Sequence, residues 1–141
     1  MPLKTNIQNS LSQFFANRQD ILCVYLFGSV ARGKENKFSD VDVAVLFHER
    51  VDRAEYTERC LELIDKISHF SNREVDVVCL NAANLFIRFQ ILKTGLKIFE
   101  YPQRGNHTFE ARTIVEFFDY LPVRRRLEES VLARIKGIKN G

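Results

Sequence analysis

The residues with chemistry to offer lie mainly in one stretch, Leu26 to Phe47, which reads LFGSVARGKENKFSDVDVAVLF. Gly28-Ser29 closes an apolar run. Ten residues further on, Asp40 and Asp42 stand one residue apart at the head of another. Side chains two apart on a strand share a face, so the two carboxylates project together. The segment around them, VDVAVLF, is apolar on both sides, the pattern of a strand buried on both faces. Asp76 interrupts a third apolar run, EVDVVCL, and joins the pair if the two strands are neighbours. Three carboxylates about 5 Å apart, at an effective dielectric near 20, repel by roughly 3 kcal/mol per pair and about 10 in all. That rivals the net stability of a whole domain, about 5–15 kcal/mol. One group keeps its proton, the groups stand apart in solvent, or cations sit between them. Hard oxygen donors in this number suit Mg²⁺ or Mn²⁺. Two such ions can stabilise both the entering and the leaving oxygen of a phosphoryl displacement.

Gly28 to Lys34 also spells G-x-x-x-x-G-K, most of a phosphate-binding P-loop. The next residue of a P-loop is Ser or Thr, whose hydroxyl reaches the metal. Here it is Glu35, a carboxylate that repels phosphate. A P-loop opens into a long helix, whereas ENKFSD is turn-like and leads straight to a strand. The lysine is incidental. Gly28-Ser29 is the alternative: backbone N–H groups at a short helix N-terminus can hold a phosphate. The Ser29 hydroxyl adds a donor, Arg32 adds charge, and Gly33 permits the turn away. Plainer readings stand beside these. Asp40 and Asp42 can be a polar strand entry, Asp76 can pair with Arg73, and Arg32 can form a structural salt bridge. Ser39 can cap a turn, and Lys34 and Lys37 can be solvated loop charges. His48, His69 and His107 have no metal-ligand spacing and read as ordinary surface or boundary residues.

The elements that must position these groups follow from periodicity. Ile7, Leu11, Phe14 and Phe15 predict an amphipathic helix over 5–18. Strands are predicted over 22–27, 40–47 and 74–80, with a fourth over 96–101. Tyr56, Cys60, Leu63, Ile64, Ile67 and Phe70 mark a helix over 53–70. Another helix at 83–93 is apolar on most faces and stops before Gly95. After a loop at 102–106 the chain reads as helix over about 107–137, which Pro122 is expected to break or kink. Helices alternating with a few strands predict an α/β (α+β) fold, a small mixed sheet flanked by helices. The 141 residues suit one domain, with no linker or repeat. The segments Leu85–Leu92 and Ile114–Leu121 are richer in apolar residues than one core face requires. Core packing accounts for most of that surplus, and a partner surface is the alternative.

Composition sets outer limits. Hydrophobic residues are 45% and charged residues 28%, as in a globular protein. No apolar run of about 18 residues is present, so no membrane span is expected. The opening MPLKTNIQNSL lacks the apolar core of a signal peptide. Cys23, Cys60 and Cys79 are odd in number, widely spaced and set in apolar stretches. They are expected to be reduced, buried thiols in a cytoplasmic protein. Residues 1–103 balance 13 Lys/Arg against 13 Asp/Glu, so the net charge of +3 lies wholly in 104–141, with 8 against 5. Arg124, Arg125 and Arg126 centre this basic part. They read as a solvated helix face or as a contact for an acidic partner or RNA, and direct nucleic-acid binding stays open.

The segment GSVARGKENKFSDVDVAV resembles the nucleotidyltransferase signature of the DNA polymerase β superfamily, G-S-x(10)-D-x-D, with a third acid on a later strand. More closely, the short length and GSxARG…SDxD resemble the minimal nucleotidyltransferases (MNT), antitoxins paired with HEPN toxins. The likeness covers about residues 20–100. It implies a polymerase β-like core, with the whole of 1–141 as one minimal domain. It implies that Ser29, with Gly28 and Arg32, binds the phosphates, and that Asp40 and Asp42 hold the metals. Asp76 becomes a third ligand or the base for the attacking hydroxyl. The implied activity is Mg²⁺-dependent transfer of AMP from ATP to a tyrosine of a partner HEPN ribonuclease, within a hetero-oligomer, silencing the toxin. Two ions are implied, and Mn²⁺ is an alternative. Larger relatives carry extra domains for the acceptor. About forty residues follow the core here, so the acceptor is expected to arrive on another protein. A non-catalytic antitoxin that works by occlusion, or transfer to a small molecule or RNA end, are the alternatives.

Overall fold

The structure is a computed structural model and describes residues 3–28, 40–101 and 107–140. Helix α1 spans Leu3–Ala16. Ile7, Leu11 and Phe15 recur every four residues, so one stripe of α1 faces the sheet and is buried. Ser12 secures it by donating from Oγ to the carbonyl of Ile98 at 2.8 Å. Strand β1, Ile21–Phe27, runs antiparallel to β2, Val41–Phe47. A short 3₁₀ turn, Arg53–Glu55, leads into α2, Tyr56–Ser71. Asp52 and Glu55 form a reciprocal capping box at that entry. Asn72, in the left-handed conformation at φ 55°, ends α2.

Strand β3, Val75–Cys79, then lies parallel to β2, the crossover being α2. Helix α3, Leu85–Thr94, is started by Asn84, whose side chain accepts from the amide of Ile87 at 3.0 Å. Strand β4, Leu96–Glu100, pairs antiparallel with β1. Helix α4, His107–Asn140, completes the chain. The sheet order is β3-β2-β1-β4, a mixed sheet flanked by helices, as expected.

The core lies on both faces of this sheet. On one face α1 and α2 cover Val24, Leu26, Val43 and Val45. On the other, Tyr25, Ala44 and Leu46 meet Leu80 and Ile91, with Phe109 of α4 packed alongside. Burial on both sides explains why β1 and β2 read as nearly continuous apolar runs. An ion-pair cluster ties the α1–β1 turn to α2. Asp20 accepts from Arg18 Nη2 at 2.9 Å and Arg59 Nη1 at 2.8 Å, and Arg18 reaches Glu62 at 2.8 Å. On the opposite face, Tyr25 hydrogen-bonds to Glu110, and Lys97 Nζ lies 2.9 Å from the same carboxylate, anchoring the start of α4.

Two expectations need correction. Pro122 does not break α4, which is helical from His107 to Asn140. Proline removes one hydrogen bond, and the carbonyl of Phe118 loses its donor. The strong helix formers after Pro122 sustain the following turns. The thiols are not all buried. Cys23 is, and burial pushes its thiol up to about 12, but Cys60 and Cys79 are only half-buried.

Candidate active site

The site is assembled at one corner of the sheet, where β1 ends and β2 and β3 begin. Asp42 is the second residue of β2 and Asp76 the second of β3, and the two pair directly in the parallel register. Neighbouring strands lie about 4.8 Å apart, so two carboxylates in register on one face are close neighbours. Asp40 precedes β2 by one residue and shares the face of Asp42. The amide of Val41 donates to the carbonyl of Glu74 at 2.9 Å, which fixes the two strand starts against each other. Asp42 belongs to the face carrying Ala44 and Leu46, beyond the part covered by α3 and α4. It is half-buried, whereas Asp40 and Asp76 are exposed.

On the other side of β2, Phe27 pairs with Asp42, and Gly28 follows with φ +77°. A β-carbon at Gly28 would overlap the Asp42 carboxylate and sit 3.1 Å from its carboxyl carbon. Only glycine meets both demands, the left-handed backbone and the close approach. The glycine therefore brings main chain against the carboxylate just past the end of β1.

Electrostatics mark the same corner. Burial first, then Asp76, then Asp40, raise the Asp42 carboxyl above the ordinary range. Asp42 thus feels both of the other acids. Among the described residues, no three His, Cys, Asp or Glu side chains yet close on a common point. The backbone sets Asp42 and Asp76 in register, with Asp40 on the same face. Carboxylate oxygens are the donor set of a hard divalent cation, and a cation would relieve the repulsion that disturbs Asp42. The residues present fit such an ion. The expectations for Ser29 and Arg32, like those for Gly33, Lys34, Lys37 and Ser39, lie outside the described residues.

One juxtaposition has no sequence signal. Cys60 of α2 faces Cys79 of β3, and that proximity holds the Cys79 thiol below its usual value against the opposing effect of burial. Nineteen residues of separation give no hint of this pairing. It arises because α2 folds back over β3. His48, expected at the surface or boundary, is instead buried, with Nδ1 accepting from the Arg50 amide at 3.0 Å.

A four-stranded mixed sheet with carboxylates in register on two adjacent strands, and a glycine turn against them, is the frame of a nucleotidyltransferase. Residues 9–104 match the model of the polymerase β nucleotidyltransferase family, so this chain belongs to that family. Among individual proteins, it is 27% identical over 110 residues to the protein adenylyltransferase MntA of Shewanella oneidensis, covering 78% of this chain and 76% of that one. A crystal structure of a toxin–antitoxin with AMP-PNP superposes at TM-score 0.70 and 25% identity, covering 89% of this chain and 98% of that one. A complex of tri-AMPylated Shewanella oneidensis HEPN toxin with MNT antitoxin matches in fold at TM-score 0.67 and 23% identity, covering 92% and 98% of the two chains. Among the described residues, no helix is long and apolar enough to cross a membrane.

Proposed function

We propose that this nucleotidyltransferase is a protein adenylyltransferase that moves AMP from ATP to a tyrosine hydroxyl of a partner HEPN toxin and thereby neutralises it. The observation that carries this reading is the in-register pair Asp42–Asp76, with Asp40 on the same face and Gly28 against Asp42. The similarity to an adenylyltransferase supports the choice of ATP and of a protein acceptor. The chain acts as one minimal domain over 1–141, and its use of ATP and its free thiols suit the cytoplasm.

Asp40 and Asp42 would hold Mg²⁺, with Asp76 as a third ligand or as the base. The ions, when bound, supply Lewis-acid stabilisation of charge on the phosphoryl and leaving oxygens. The chain itself orients and desolvates. Gly28, just after β1, lies against the Asp42 carboxylate, and Ser29 and Arg32 are assigned to the phosphates. The tyrosine oxygen forms a new bond to the α-phosphorus as the bond to the bridging oxygen of pyrophosphate breaks. The tyrosine proton leaves to Asp76 or to solvent, and pyrophosphate departs with the electron pair.

The test is label transfer from α-³²P-ATP to the HEPN partner. Asp42→Asn should leave the fold intact and abolish transfer, while wild type adds mass in AMP increments. Full transfer by the variant would refute the enzymatic reading. Neutralisation by occlusion is favoured by the exposed apolar residues of α4, such as Leu127 and Ile138. It requires equal protection by wild type and an Asp40→Asn/Asp42→Asn double variant.

A further inference from the structure

The face of α4 that packs on α3 continues past the point where α3 ends. Along its first half, Thr113 is fully buried, Phe117 stacks on Phe89 at 3.7 Å, and Tyr120 meets Phe86 edge-on at 5.3 Å. The Arg124 guanidinium lies 5.4 Å above the Phe86 ring. Helix α3 has 10 residues and α4 has 34, so α3 runs out first. Leu127, Val131, Ile135 and Ile138 nonetheless keep the spacing that places them on the side of Tyr120. They are 56%, 50%, 44% and 74% exposed. Where the stripe begins, α3 and α4 enclose a groove of about 750 Å³ lined by Phe86, Phe89, Phe117, Lys93 and Arg124, the last of these one turn before Leu127.

An exposed stripe continuous with a packing face is a surface made to be covered. Its charge says by what. Residues 124–140 hold six Lys/Arg, at 124, 125, 126, 134, 136 and 139, against Glu128 and Glu129, a net charge of +4. Two copies laid together would oppose like charges at close range. A nucleic-acid backbone would satisfy the arginines but leave the stripe in water. An amphipathic helical face with acidic flanks satisfies both.

We infer that the groove and the stripe of α4 form one docking surface for an acid-flanked helical face of the protein that is adenylylated. This rests on the proposed function for the identity of the partner. Docking there holds the target by a surface distinct from the carboxylates, so binding energy remote from the reacting atoms brings the acceptor to the site.

The experiment measures binding of the HEPN partner to full-length protein carrying Asp42→Asn, a background without turnover. Leu127→Glu/Val131→Glu replaces two exposed residues with helix-compatible ones and should weaken the complex by about a hundredfold, roughly tenfold per lost apolar contact. Arg125→Glu/Arg126→Glu should weaken it at low salt and have a smaller effect at high salt. Unchanged binding by the first variant overturns the proposal. So does a wild-type dimer that this variant converts to monomer, or stripe-dependent binding of a single-stranded RNA in place of the HEPN partner. The two readings fail separately. Transfer to a partner held equally by the stripe variant refutes only the docking surface. A stripe-dependent complex in which wild type transfers no AMP refutes only the enzymatic reading.

Discussion

Gly28 and Asp42 are packed together: the carboxylate of Asp42 fills the space that a side chain at position 28 would need. The relationship couples the end of β1 to the acidic corner. Gly28→Ala faces two penalties, a positive φ and a steric overlap. The conformational part alone costs about 1–2 kcal/mol. The overlap displaces Asp42, and a shift of about 1 Å in a catalytic group can cost roughly a hundredfold in rate. The expected result is a modest fall in melting temperature with a far larger loss of label transfer. Transfer at the wild-type rate would show that the contact is dispensable.

The raised Asp42 carboxyl carries a stability prediction with a definite sign. Burial, Asp76 and Asp40 disfavour its charged form, so its folded-state value lies above the unfolded one. A raised carboxyl means the folded state binds the proton more tightly. Metal-free protein therefore loses stability as pH rises through the unfolded value and reaches the full penalty above the folded one. In EDTA at neutral pH, Asp42→Asn should melt higher than wild type. Asp42 is only half-buried and its two acidic neighbours are exposed, so solvent screens them and the gain is small, about 2 °C. Mg²⁺ should reverse the order by raising wild type and not the variant. Equal Mg²⁺ shifts in both proteins would argue against an ion at this corner.

Much of this corner is legible in the sequence because strand chemistry is local. The two-residue period places Asp40 and Asp42 on one face whatever the rest of the chain does. Asp76 is different. Its membership depends on β3 lying beside β2 in a register that pairs it with Asp42, and only tertiary structure decides that. The same holds for Cys60 and Cys79, which meet because α2 crosses over β3. Pro122 is the opposite case, a local rule that context overrides: an exposed helix surface tolerates the missing bond. The apolar surplus of 85–92 and 114–121 is visible in the sequence. Its division between core, such as Ile91, and surface, such as Phe118, is not.

Away from the site, Asp20 holds the α1–β1 turn to α2. Burial alone would raise its carboxyl, but hydrogen bonds and charge from Arg18 and the hydrogen bond from Arg59 outweigh that and hold it low. Its side chain is 15% exposed, so the pairing is only weakly screened. Asp20→Asn should cost about 1–3 kcal/mol at neutral pH, the range for charge-assisted hydrogen bonds in a partly buried cluster. A depressed carboxyl stabilises above its unfolded value, near 3.9, and the benefit fades as pH falls through the lower folded value. The difference between wild type and variant should be complete at pH 7 and at pH 5 and should shrink below about pH 4. A difference that persists undiminished at pH 2 would assign the loss to packing.

Helix α4 passes through Pro122 without the bond that an ordinary residue would donate to the carbonyl of Phe118. Proline in a helix interior costs about 3 kcal/mol, and the turns beyond it have only their own propensity and pairs such as Arg124–Glu128, at 2.9 Å, to hold them. The second half of α4 should therefore open more readily than the first, which Tyr25, Lys97 and the α3 aromatics anchor. Pro122→Ala restores the donor and removes the ring. Amide exchange over 119–130 should slow by about tenfold to a hundredfold, while residues 108–114 change little. The global melting temperature should scarcely move, because few core contacts depend on the distal turns. Uniform slowing along all of α4 would mean that the helix opens as one unit, with Pro122 no boundary within it.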